Sequence, residues 1–532
     1  MSCAAVIAAI VQGANVDTST TPTIEDLLSK YAALSDDEKG SVRASYLAQV
    51  FPLFFGENAI FRESDGYDTQ RQVPWSINCW LQPLVVVTAT SAQEVATALA
   101  LCRFFNINFS VRGGGHLQNP GFTSNNGGVV ISLSKFNHVK LSEDKSTADV
   151  GLGLRWLDVY KALDPHGLAV AGGRIPTVGV PGLLLGGGIS FQNSQYGVGA
   201  MGVTNYEVVL ADSSIVNANA QENPDLFWAL KGGGPNFGIV TKMDLVTVPT
   251  ESWAEARVYP PTAYPELAKG LMKYHEAIEV DNKASLVWHA TSQAILLVFF
   301  YCAPVEKPAA FESFYDIPFL MNFVPPGTRS IYELVQAVAS VISPEVLHHE
   351  FRTMSSRPCL ELYEATEKVR REQQEALSDV EGLVLTNVFQ PMSSLAMKQS
   401  QKNGGTPLGL EAVGQQCMLP SSWYARETNK TGFLSMADWK HAKDEDRVRE
   451  AVRKIVDVAE ATAKQAGAYL PYRYSNYASR DQDPLSSYGA ENVARLKSIS
   501  AKYDPDGVFQ KLQNGGWLLS KVGSQSRSVK LT

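Results

Sequence analysis

The run Arg112–His116 joins an arginine, three glycines and a histidine at the end of a short strand-like segment. Because glycine has no Cβ, the backbone N–H groups of such a loop can approach a bound phosphate closely. The imidazole of His116 follows the glycines directly, so it is expected beside the bound ligand. This order of residue types predicts a site for a phosphate-bearing ligand with one histidine next to it.

A second glycine-rich loop spans Gly172 to Gly188 and allows the same close approach of backbone to ligand. Two such loops predict an extended ligand that carries a diphosphate. A literal G-x-G-x-x-G pattern also occurs at Gly197–Gly202, but the residues after it, Thr204–Leu210, are strand-like. A Rossmann site requires a helix there, whose N-terminus meets the pyrophosphate, so this interpretation is not favoured.

Regular elements are predicted around the two loops. Leu84–Val87 is typical of a buried strand, Ser91–Cys102 has the capping box and apolar face of a helix, and Ile107–Val111 alternates as a strand. This strand–helix–strand unit delivers the first glycine loop at its end. A second amphipathic helix is predicted over Trp156–Leu163, and strands are predicted at Tyr206–Leu210 and Ile239–Val248.

The character of the sequence changes at about residue 251, where glycine becomes sparse. Ala294–Tyr301 and Val384–Phe389 read as strands, and Val448–Ala459 lies in a long amphipathic helix. We expect this half to form a second domain that covers a substrate.

Composition narrows the class of protein. A chain of 532 residues with 45% hydrophobic and 19% charged residues is expected to be soluble and to fold as more than one domain. A formal charge of −8 disfavours nucleic acid as the main partner. No apolar segment reaches the roughly 18 residues of a membrane span. The six cysteines show neither a disulfide framework nor a metal-binding spacing.

The compartment stays open at this stage. The apolar run Cys3–Val11 resembles the core of a signal peptide, but no lysine or arginine precedes it. The sequence is compatible with an intracellular location and with the secretory pathway.

Several motifs occur together in a recognisable order. Arg112–His116, the loop Gly172–Gly188, the segment Gly232–Ile239 and a tail with Tyr474-Ser-Asn-Tyr477 and Lys502–Phe509 resemble the berberine bridge enzyme-like flavoproteins of the vanillyl-alcohol oxidase superfamily, in their fungal branch. The resemblance covers roughly residues 45–520. It implies an α+β fold, with a PCMH-type FAD-binding domain in two parts and an inserted substrate domain of antiparallel sheet covered by helices.

The resemblance also implies domain boundaries. We expect a helical N-terminal extension over residues 1–44, the FAD-binding domain over 45–250 and the substrate domain over 251–465. Residues 466–525 would form the tail that returns to the FAD domain.

The family links its flavin through the histidine of the first loop, so the resemblance implies FAD held by one covalent bond from His116. Noncovalent FAD, with His116 as a hydrogen-bonded loop residue, is the alternative. Many members add a cysteine bond immediately before Pro-Thr-Val, where this chain has Ile175, so no second bond is expected. The residues expected to bind FAD are Arg112, Gly113, Gly114, Gly115, His116, Gln118, Gly121, Pro176, Thr177, Gly182, Gly186, Gly187, Gly188, Gly238, Ile239, Val240, Asn476, Tyr488 and Asn492.

Two departures from the family pattern lie near the expected flavin. Met201-Gly202 stands where Asp-Asn is usual, which removes two side chains that could form hydrogen bonds there. Val180 occupies the position that lines the dioxygen pocket in this family, and a valine there is similar to members that act as oxidases. Core packing of a β-branched residue is the alternative interpretation.

The catalytic base is the least determined feature. Hydride transfer to flavin N5 leaves a proton that needs an acceptor within hydrogen-bond reach. The candidates are Glu411 and Gln416, with Gln415 beside them, and the tail tyrosines Tyr472 and Tyr474. A tyrosine would need a nearby cation to lower its pKa, and Arg473 and Arg480 are close in sequence. Ordinary packing is the alternative for each of these residues.

The substrate is expected to be a hydrophobic small molecule, because carbohydrate oxidases of the superfamily generally carry the cysteine bond that is missing here. An aromatic set could form the walls of an apolar cavity or belong to an ordinary core: Trp288, His289, Phe389, Trp423 and Tyr474.

The sequence predicts an FAD-dependent oxidase of secondary metabolism, with dioxygen as electron acceptor, that performs alcohol oxidation, dehydrogenation or oxidative cyclisation. The alternative keeps the fold but isomerises or cyclises its substrate without net redox. Oligomeric state is not determined.

Overall fold

Three sheets and the helices around them make up the part of the chain that the computed structural model describes, namely residues 2–14, 16–340, 345–410 and 430–524. The fold is α+β, as the sequence predicts. One apolar core extends through the first two sheets and the C-terminal segment, and a second core lies between the third sheet and its helices.

Three helices precede the first strand: α1 (Cys3–Gly13), α2 (Thr21–Ala32) and α3 (Asp36–Phe55). The apolar run that resembles a signal core forms α1, and its residues Ile7 and Ile10 are buried in the first core. The run is therefore a packed element of this fold. Across the described ranges, no helix combines the length and the apolarity needed to cross a membrane.

The first sheet has the order β1-β2-β4-β3. Its strands are β1 (Ala59–Phe61), β2 (Val85–Thr88), β3 (Phe109–Arg112) and β4 (Val129–Ser132), with α4 (Tyr67–Arg71) after β1 and α5 (Ala92–Phe104) between β2 and β3. Both β2 and β3 pair in parallel with β4, which requires the helical crossover that α5 provides. The predicted strand–helix–strand unit is present, and it ends at Arg112.

The second sheet is antiparallel, in the order β5-β6-β10-β8-β9, with β7 paired to β10. Its strands are β5 (Val139–Leu141), β6 (Thr147–Gly151), β7 (Leu168–Val170), β8 (Val203–Val209), β9 (Ile215–Asn219) and β10 (Ile239–Pro249). The helices in this part are α6 (Trp156–Leu163), α7 (Val180–Leu185), α8 (Asn193–Tyr196) and α9 (Pro224–Leu230). The second glycine loop runs from β7 into α7.

The third and largest sheet begins directly after β10 and is antiparallel, in the order β14-β11-β13-β12-β16-β17-β15-β18. Its strands are β11 (Glu251–Tyr259), β12 (Ala284–Ala290), β13 (Ile295–Tyr301), β14 (Met321–Ser330), β15 (His348–Ser356), β16 (Val384–Met392), β17 (Lys430–Trp439) and β18 (Tyr469–Leu470). We call it the large sheet.

In the described ranges, six helices accompany the strands of the large sheet: α10 (Tyr264–Ala277), α11 (Glu312–Tyr315), α12 (Ile331–Ala339), α13 (Leu360–Ala376), α14 (Ser394–Ser400) and α15 (Glu445–Gln465). Helices α10, α11, α13 and α15 cover one face of the sheet and form the second core with it, whereas α12 and α14 belong to the first core and pack beside α6 and α8. The C-terminal segment adds α16 (Ala490–Tyr503) and α17 (Val508–Lys511). After α17 the chain lies along β3, where the N–H of Phe109 donates to Leu512 O at 2.9 Å and the N–H of Asn514 donates to Phe109 O at 2.7 Å.

The two faces of the large sheet pack against different parts of the molecule. Leu286 and Trp288 of β12 belong to the helix-covered core, whereas Val287 between them belongs to the first core. Since side chains alternate along a strand, His289 and Gln390 point to the same side as Val287 and Val388, toward the glycine loops.

Candidate active site

The two glycine loops predicted from the sequence meet in the structure. A Cβ on Gly114 would lie 2.5 Å from the Cα of Gly179, and a Cβ on Gly113 would lie 2.4 Å from Cγ of Pro181. Both distances are shorter than real Cβ contacts, so the loops touch only because these positions are glycine. The first loop also accepts a hydrogen bond from the backbone of Trp75, whose N–H lies 3.0 Å from Gly115 O.

Arg112 ends β3 with a fully buried side chain that lacks an acidic partner among the described residues. Its Nη2 donates to Oε1 of Gln70 at 3.0 Å, but Nε and Nη1 have no partner in this part of the chain. Burial lowers the pKa of the guanidinium to about 10, so it stays charged at neutral pH. A buried cation with two free donors at a glycine loop fits a phosphate-bearing group.

A second buried polar group lies just after this loop. Gln118 donates from Nε2 to Ala478 O at 3.4 Å, while its Oε1 is buried without a partner among the described residues. Asn514 donates to Gly121 O at 2.9 Å. The end of the first loop is therefore held by the C-terminal segment.

His116 lies between Thr177 and Trp75. Its Nε2 is 3.1 Å from Oγ1 of Thr177, and its ring stacks on Trp75 with centroids 4.4 Å apart and planes inclined by 14°. Desolvation, together with the positive charge of Arg155, lowers the pKa of His116 to about 3. The imidazole is therefore neutral at physiological pH, which is the nucleophilic form.

The residues on the far side of Trp75 carry no motif that marks them in the sequence. His349 stacks on that face with centroids 3.4 Å apart, its Nδ1 lies 2.6 Å from Oδ1 of Asp438, and its buried Nε2 has no partner among the described residues. Asp438 is the cross-strand partner of His349 in the pairing of β15 with β17, a relation that only the sheet register reveals.

The second loop ends against the tail motif Tyr474-Ser-Asn-Tyr477. Nδ2 of Asn476 donates to Leu183 O at 3.0 Å and to the hydroxyl of Tyr474 at 2.9 Å. A Cβ on Gly186 would lie 2.2 Å from Oδ1 of Asn476, so this position must be glycine. The hydroxyl of the buried Tyr488 donates to Gly232 O at 3.1 Å.

Arg174 reaches from the second loop to the large sheet and the tail. Its Nη2 donates to Oε1 of Gln390 at 2.7 Å and to the hydroxyl of Tyr477 at 3.2 Å. The guanidinium also lies 5.9 Å from the ring centre of Phe191. His289, on the same face of the sheet as Gln390, has its pKa lowered to about 4 by burial and by the charge of Arg174. Sequence analysis read Arg174 only as part of the loop.

The expected activation of the tail tyrosines by cations is wrong. Arg473 pairs with Glu460 at 2.8 Å, and Arg480 pairs with Glu445, so both charges are neutralised elsewhere. Burial and the neighbouring tyrosines raise the pKa of Tyr472 well above its ordinary value, and burial likewise raises that of Tyr474. Both phenols are therefore protonated at neutral pH.

The aromatic set divides between the two faces of the large sheet. Trp288 and Phe389 contact each other, with centroids 5.8 Å apart, and belong to the helix-covered core beside Tyr363 of α13. They do not line a site at the glycine loops, because alternation directs them to the opposite face. His289 and Tyr474 remain on the side of the loops.

The other candidates lie in several environments. Glu411, Gln415, Gln416 and Trp423 fall outside the described residues. Val180 is fully buried at the first turn of α7, where its N–H donates to Leu154 O at 3.2 Å.

The remaining candidates for FAD contacts lie in strands, in helices or in the second glycine loop. A Cβ on Gly238 would lie 2.4 Å from Cγ1 of Val208, so close packing against β8 requires glycine at this position. Ile239 and Val240 are the first residues of β10, and their side chains are buried. Asn492, in the first turn of α16, donates to Tyr488 O at 3.1 Å, just before that helix begins. The remaining positions lie within the second loop: Pro176, Gly182, Gly187 and Gly188.

Comparisons with known proteins agree with this arrangement. A family model described as an FAD binding domain matches residues 83–219, and one described as berberine and berberine like matches residues 473–514. An FAD-dependent monooxygenase of Arthrobotrys oligospora is 38% identical, over 89% of this chain and 89% of its own length.

Solved structures with the same fold are more distant in sequence. The 6-hydroxy-D-nicotine oxidase of Arthrobacter nicotinovorans has a TM-score of 0.68 at 21% identity, covering 86% of this chain and 97% of its own. A glucooligosaccharide oxidase of Acremonium strictum, described with a 6-S-cysteinyl, 8α-N1-histidyl FAD, has a TM-score of 0.67 at 20% identity, covering 85% and 95%.

Proposed function

Because this chain belongs to the berberine bridge enzyme-like family of FAD-dependent oxidoreductases, we propose that it is an oxidase of a hydrophobic small molecule with dioxygen as electron acceptor. The observation that carries the proposal is the buried guanidinium of Arg112 at the junction of the two glycine loops, whose Nε and Nη1 have no partner among the described residues. It is the group that the diphosphate of FAD would neutralise.

The residues of this junction fit FAD. Arg112 and the N–H groups of Gly113–Gly115 would hold the diphosphate, and the free Oε1 of Gln118 can accept a hydrogen bond from the cofactor. FAD supplies the ability to accept two electrons from an organic substrate, which no side chain of this protein has. The protein contributes binding, orientation and the handling of protons.

His116 is the proposed point of covalent attachment. Its neutral imidazole is held by Thr177 on one nitrogen and by Trp75 against the ring, so one nitrogen remains free to act as nucleophile. Ile175 offers no sulfur for a second bond. We therefore expect a single histidyl linkage.

His289 is the side chain that we propose as acceptor of the substrate proton, because it lies on the loop-facing side of the large sheet and its imidazole is in the neutral form, which can take up a proton. Tyr474 is suited to the opposite role. Its hydroxyl accepts a hydrogen bond from Asn476 and keeps its own proton to donate to a substrate oxygen. The two side chains together can orient a hydroxyl group and take its proton.

Apolar rings beside these polar groups support a hydrophobic substrate. Phe191 stacks on Phe300 of the large sheet with centroids 4.8 Å apart, and Phe351 lies 5.6 Å from Trp75. These rings lie on the loop-facing side of the large sheet. They would contact an apolar body while His289 and Tyr474 meet its reacting oxygen.

The test mixes the purified, flavin-loaded protein with a pool of aromatic and terpenoid alcohols without oxygen. An oxidase requires that the visible absorbance of the flavin falls with substrate, and that admitted air restores it while releasing one peroxide for each two-electron oxidation. Product formed at full rate without bleaching would instead establish the isomerase or cyclase alternative.

A monooxygenase is the second candidate, favoured by the name of the relative from Arthrobotrys oligospora. A monooxygenase places one oxygen atom of dioxygen in the product and reduces the other to water, which consumes two further electrons. Turnover under heavy-isotope dioxygen separates the two functions. An oxidase leaves the label in peroxide, whereas a monooxygenase transfers it to the product.

A further inference from the structure

We infer that Arg174, Gln390 and Tyr477 form a subsite for an anionic oxygen group of the substrate, such as a carboxylate or an ionised enol. This inference rests on the proposed function, because it identifies the substrate class of the same site. The three residues come from three distant parts of the chain: the second glycine loop, the large sheet and the tail.

The subsite carries a positive charge without a negative partner. Two arginines in or beside the tail pair with carboxylates: Arg473 with Glu460, and Arg352 with Asp481. Arg174 forms no such pair with any described residue, and both of its hydrogen-bond acceptors are neutral. A half-buried guanidinium with only neutral partners gains free energy when an anion replaces water beside it.

The hydrogen bonds within the subsite leave it with donors only. The hydroxyl oxygen of Tyr477 accepts from Arg174 at 3.2 Å and from Nε2 of Gln390 at 3.0 Å, so its own O–H is free to donate outward. Oε1 of Gln390 is taken by Arg174, which leaves one N–H on Nε2. The remaining N–H groups of Arg174 add further donors. A ligand group that only accepts hydrogen bonds is complementary to such a set.

The surroundings specify the rest of the ligand. The ring centre of Phe191 lies 5.9 Å from the guanidinium carbon of Arg174, and Phe191 stacks on Phe300. An apolar surface therefore lies directly beside the charged group. His289 lies on the same face of the large sheet as Gln390. The chemistry fits a flat, apolar acid that anchors its anionic oxygen at Arg174 and presents its reacting carbon toward His289.

The experiment compares benzoate with benzamide, its neutral analogue of the same shape, by calorimetric titration of the purified flavin-loaded protein. We expect benzoate to bind wild-type protein at least about tenfold more tightly, the preference of a charge-assisted hydrogen bond over a neutral one. Arg174→Gln should abolish the preference. Tyr477→Phe removes one donor and should weaken benzoate several-fold while leaving benzamide nearly unchanged.

Arg495→Gln is the matched control, because Arg495 is also an arginine beside an aromatic ring, 3.9 Å from the ring centre of Trp228, but is exposed on α16. It should retain the preference. Equal binding of the two probes to wild-type protein, no binding of benzoate, or a preference that survives Arg174→Gln would each overturn the subsite. Flavin absorbance is read on every sample, so a failed subsite in yellow protein is distinct from a protein that holds no flavin.

Discussion

His116 is positioned by contacts on two sides, and its chemistry follows from them and from its burial. Thr177 fixes one nitrogen, Trp75 fixes the plane of the ring, and desolvation keeps the imidazole neutral. At the scale of single residues, the site therefore depends on a histidine that is both uncharged and oriented.

Replacement of His116 by alanine removes the proposed attachment atom but not the diphosphate site at Arg112. We expect His116→Ala protein to bind FAD and to release it fully on acid precipitation, whereas wild-type protein should keep its colour in the pellet. Mass spectrometry of the wild-type digest should find flavin on the peptide with His116 and on no cysteine peptide. Acid-resistant flavin in His116→Ala would contradict the assignment.

His349 should affect the attachment of flavin through Trp75 rather than by contact. His349→Gln removes a ring from the stack and its hydrogen bond to Asp438, so Trp75 and His116 lose alignment. An aromatic stack of this kind contributes about 0.5–1.5 kcal/mol, so we expect covalent flavin to form roughly two- to tenfold more slowly in apo-protein given FAD.

The control for His349 is another histidine paired with a carboxylate. His441 lies 2.9 Å from Glu381 on the surface, so His441→Gln should leave the attachment rate unchanged. Melting temperatures of both variants show whether either fold is disturbed. An unchanged rate of flavin attachment in His349→Gln protein would show that His349 does not position His116 through Trp75.

At the scale of elements, the close contact of the two glycine loops would create the proposed cofactor site. They meet because β3 and the β7–α7 connection, which belong to different sheets, end at the same place.

Gly114→Ala tests this contact. Its Cβ would lie 2.5 Å from the Cα of Gly179, and backbone atoms cannot move aside as a flexible side chain can. We expect a loss of about 1–3 kcal/mol of stability and a large loss of FAD content, measured by thermal unfolding and by the ratio of visible to ultraviolet absorbance.

Gly40→Ala is the control for the loop contact. A Cβ at this exposed position of α3 meets nothing within 4 Å, and alanine favours a helix more than glycine does. This variant should be at least as stable as wild-type protein and keep its flavin. Similar FAD loss in both variants would mean that the loss does not depend on the close approach of the loops.

The strand register of the large sheet determines which of its side chains face the glycine loops. It pairs His349 with Asp438 and places His289 next to Val388, two residues before Gln390. A shift of one residue would exchange Trp288 for His289 at the glycine loops, because successive side chains point to opposite faces.

At the scale of the whole molecule, the C-terminal segment joins the two halves. It lies along β3 on one side, and on the other its Asp481 bonds Arg352 of β15 at 2.7 Å and Arg453 of α15 at 3.1 Å. Burial alone would raise the pKa of Asp481, but Arg352, Ser479 and the other arginines lower it to about 2.

Asp481→Asn should therefore destabilise the protein in a pH-dependent way. A carboxyl whose pKa falls from 3.8 to about 2 on folding stabilises the native state above pH 4, and this contribution disappears as the pH falls toward 2. We expect a cost of about 2 kcal/mol near neutral pH that shrinks below pH 4, followed by thermal unfolding across pH. Asp506→Asn, which removes an exposed pair with Arg103 at 3.7 Å, should change little. A pH-independent cost would show that the charge is not responsible.

The sequence was enough to predict those features that depend only on residues adjacent in the chain. Glycine runs fix where the backbone can approach a ligand, and periodicity fixes the strand–helix–strand unit that ends at Arg112. The order of motifs from His116 to Tyr474 was sufficient for the family, the FAD cofactor and the α+β fold, because each motif is contiguous in the chain.

The tertiary structure alone decided which distant side chains meet. Strands such as β12 and β16 are buried on both faces, so their apolar residues do not show which face meets the cofactor site. The stack of His116, Trp75 and His349, and the cluster of Arg174, Gln390 and Tyr477, depend on sheet register and on the return of the tail. Those relations join residues far apart in the chain, where local propensity carries no information about the partner.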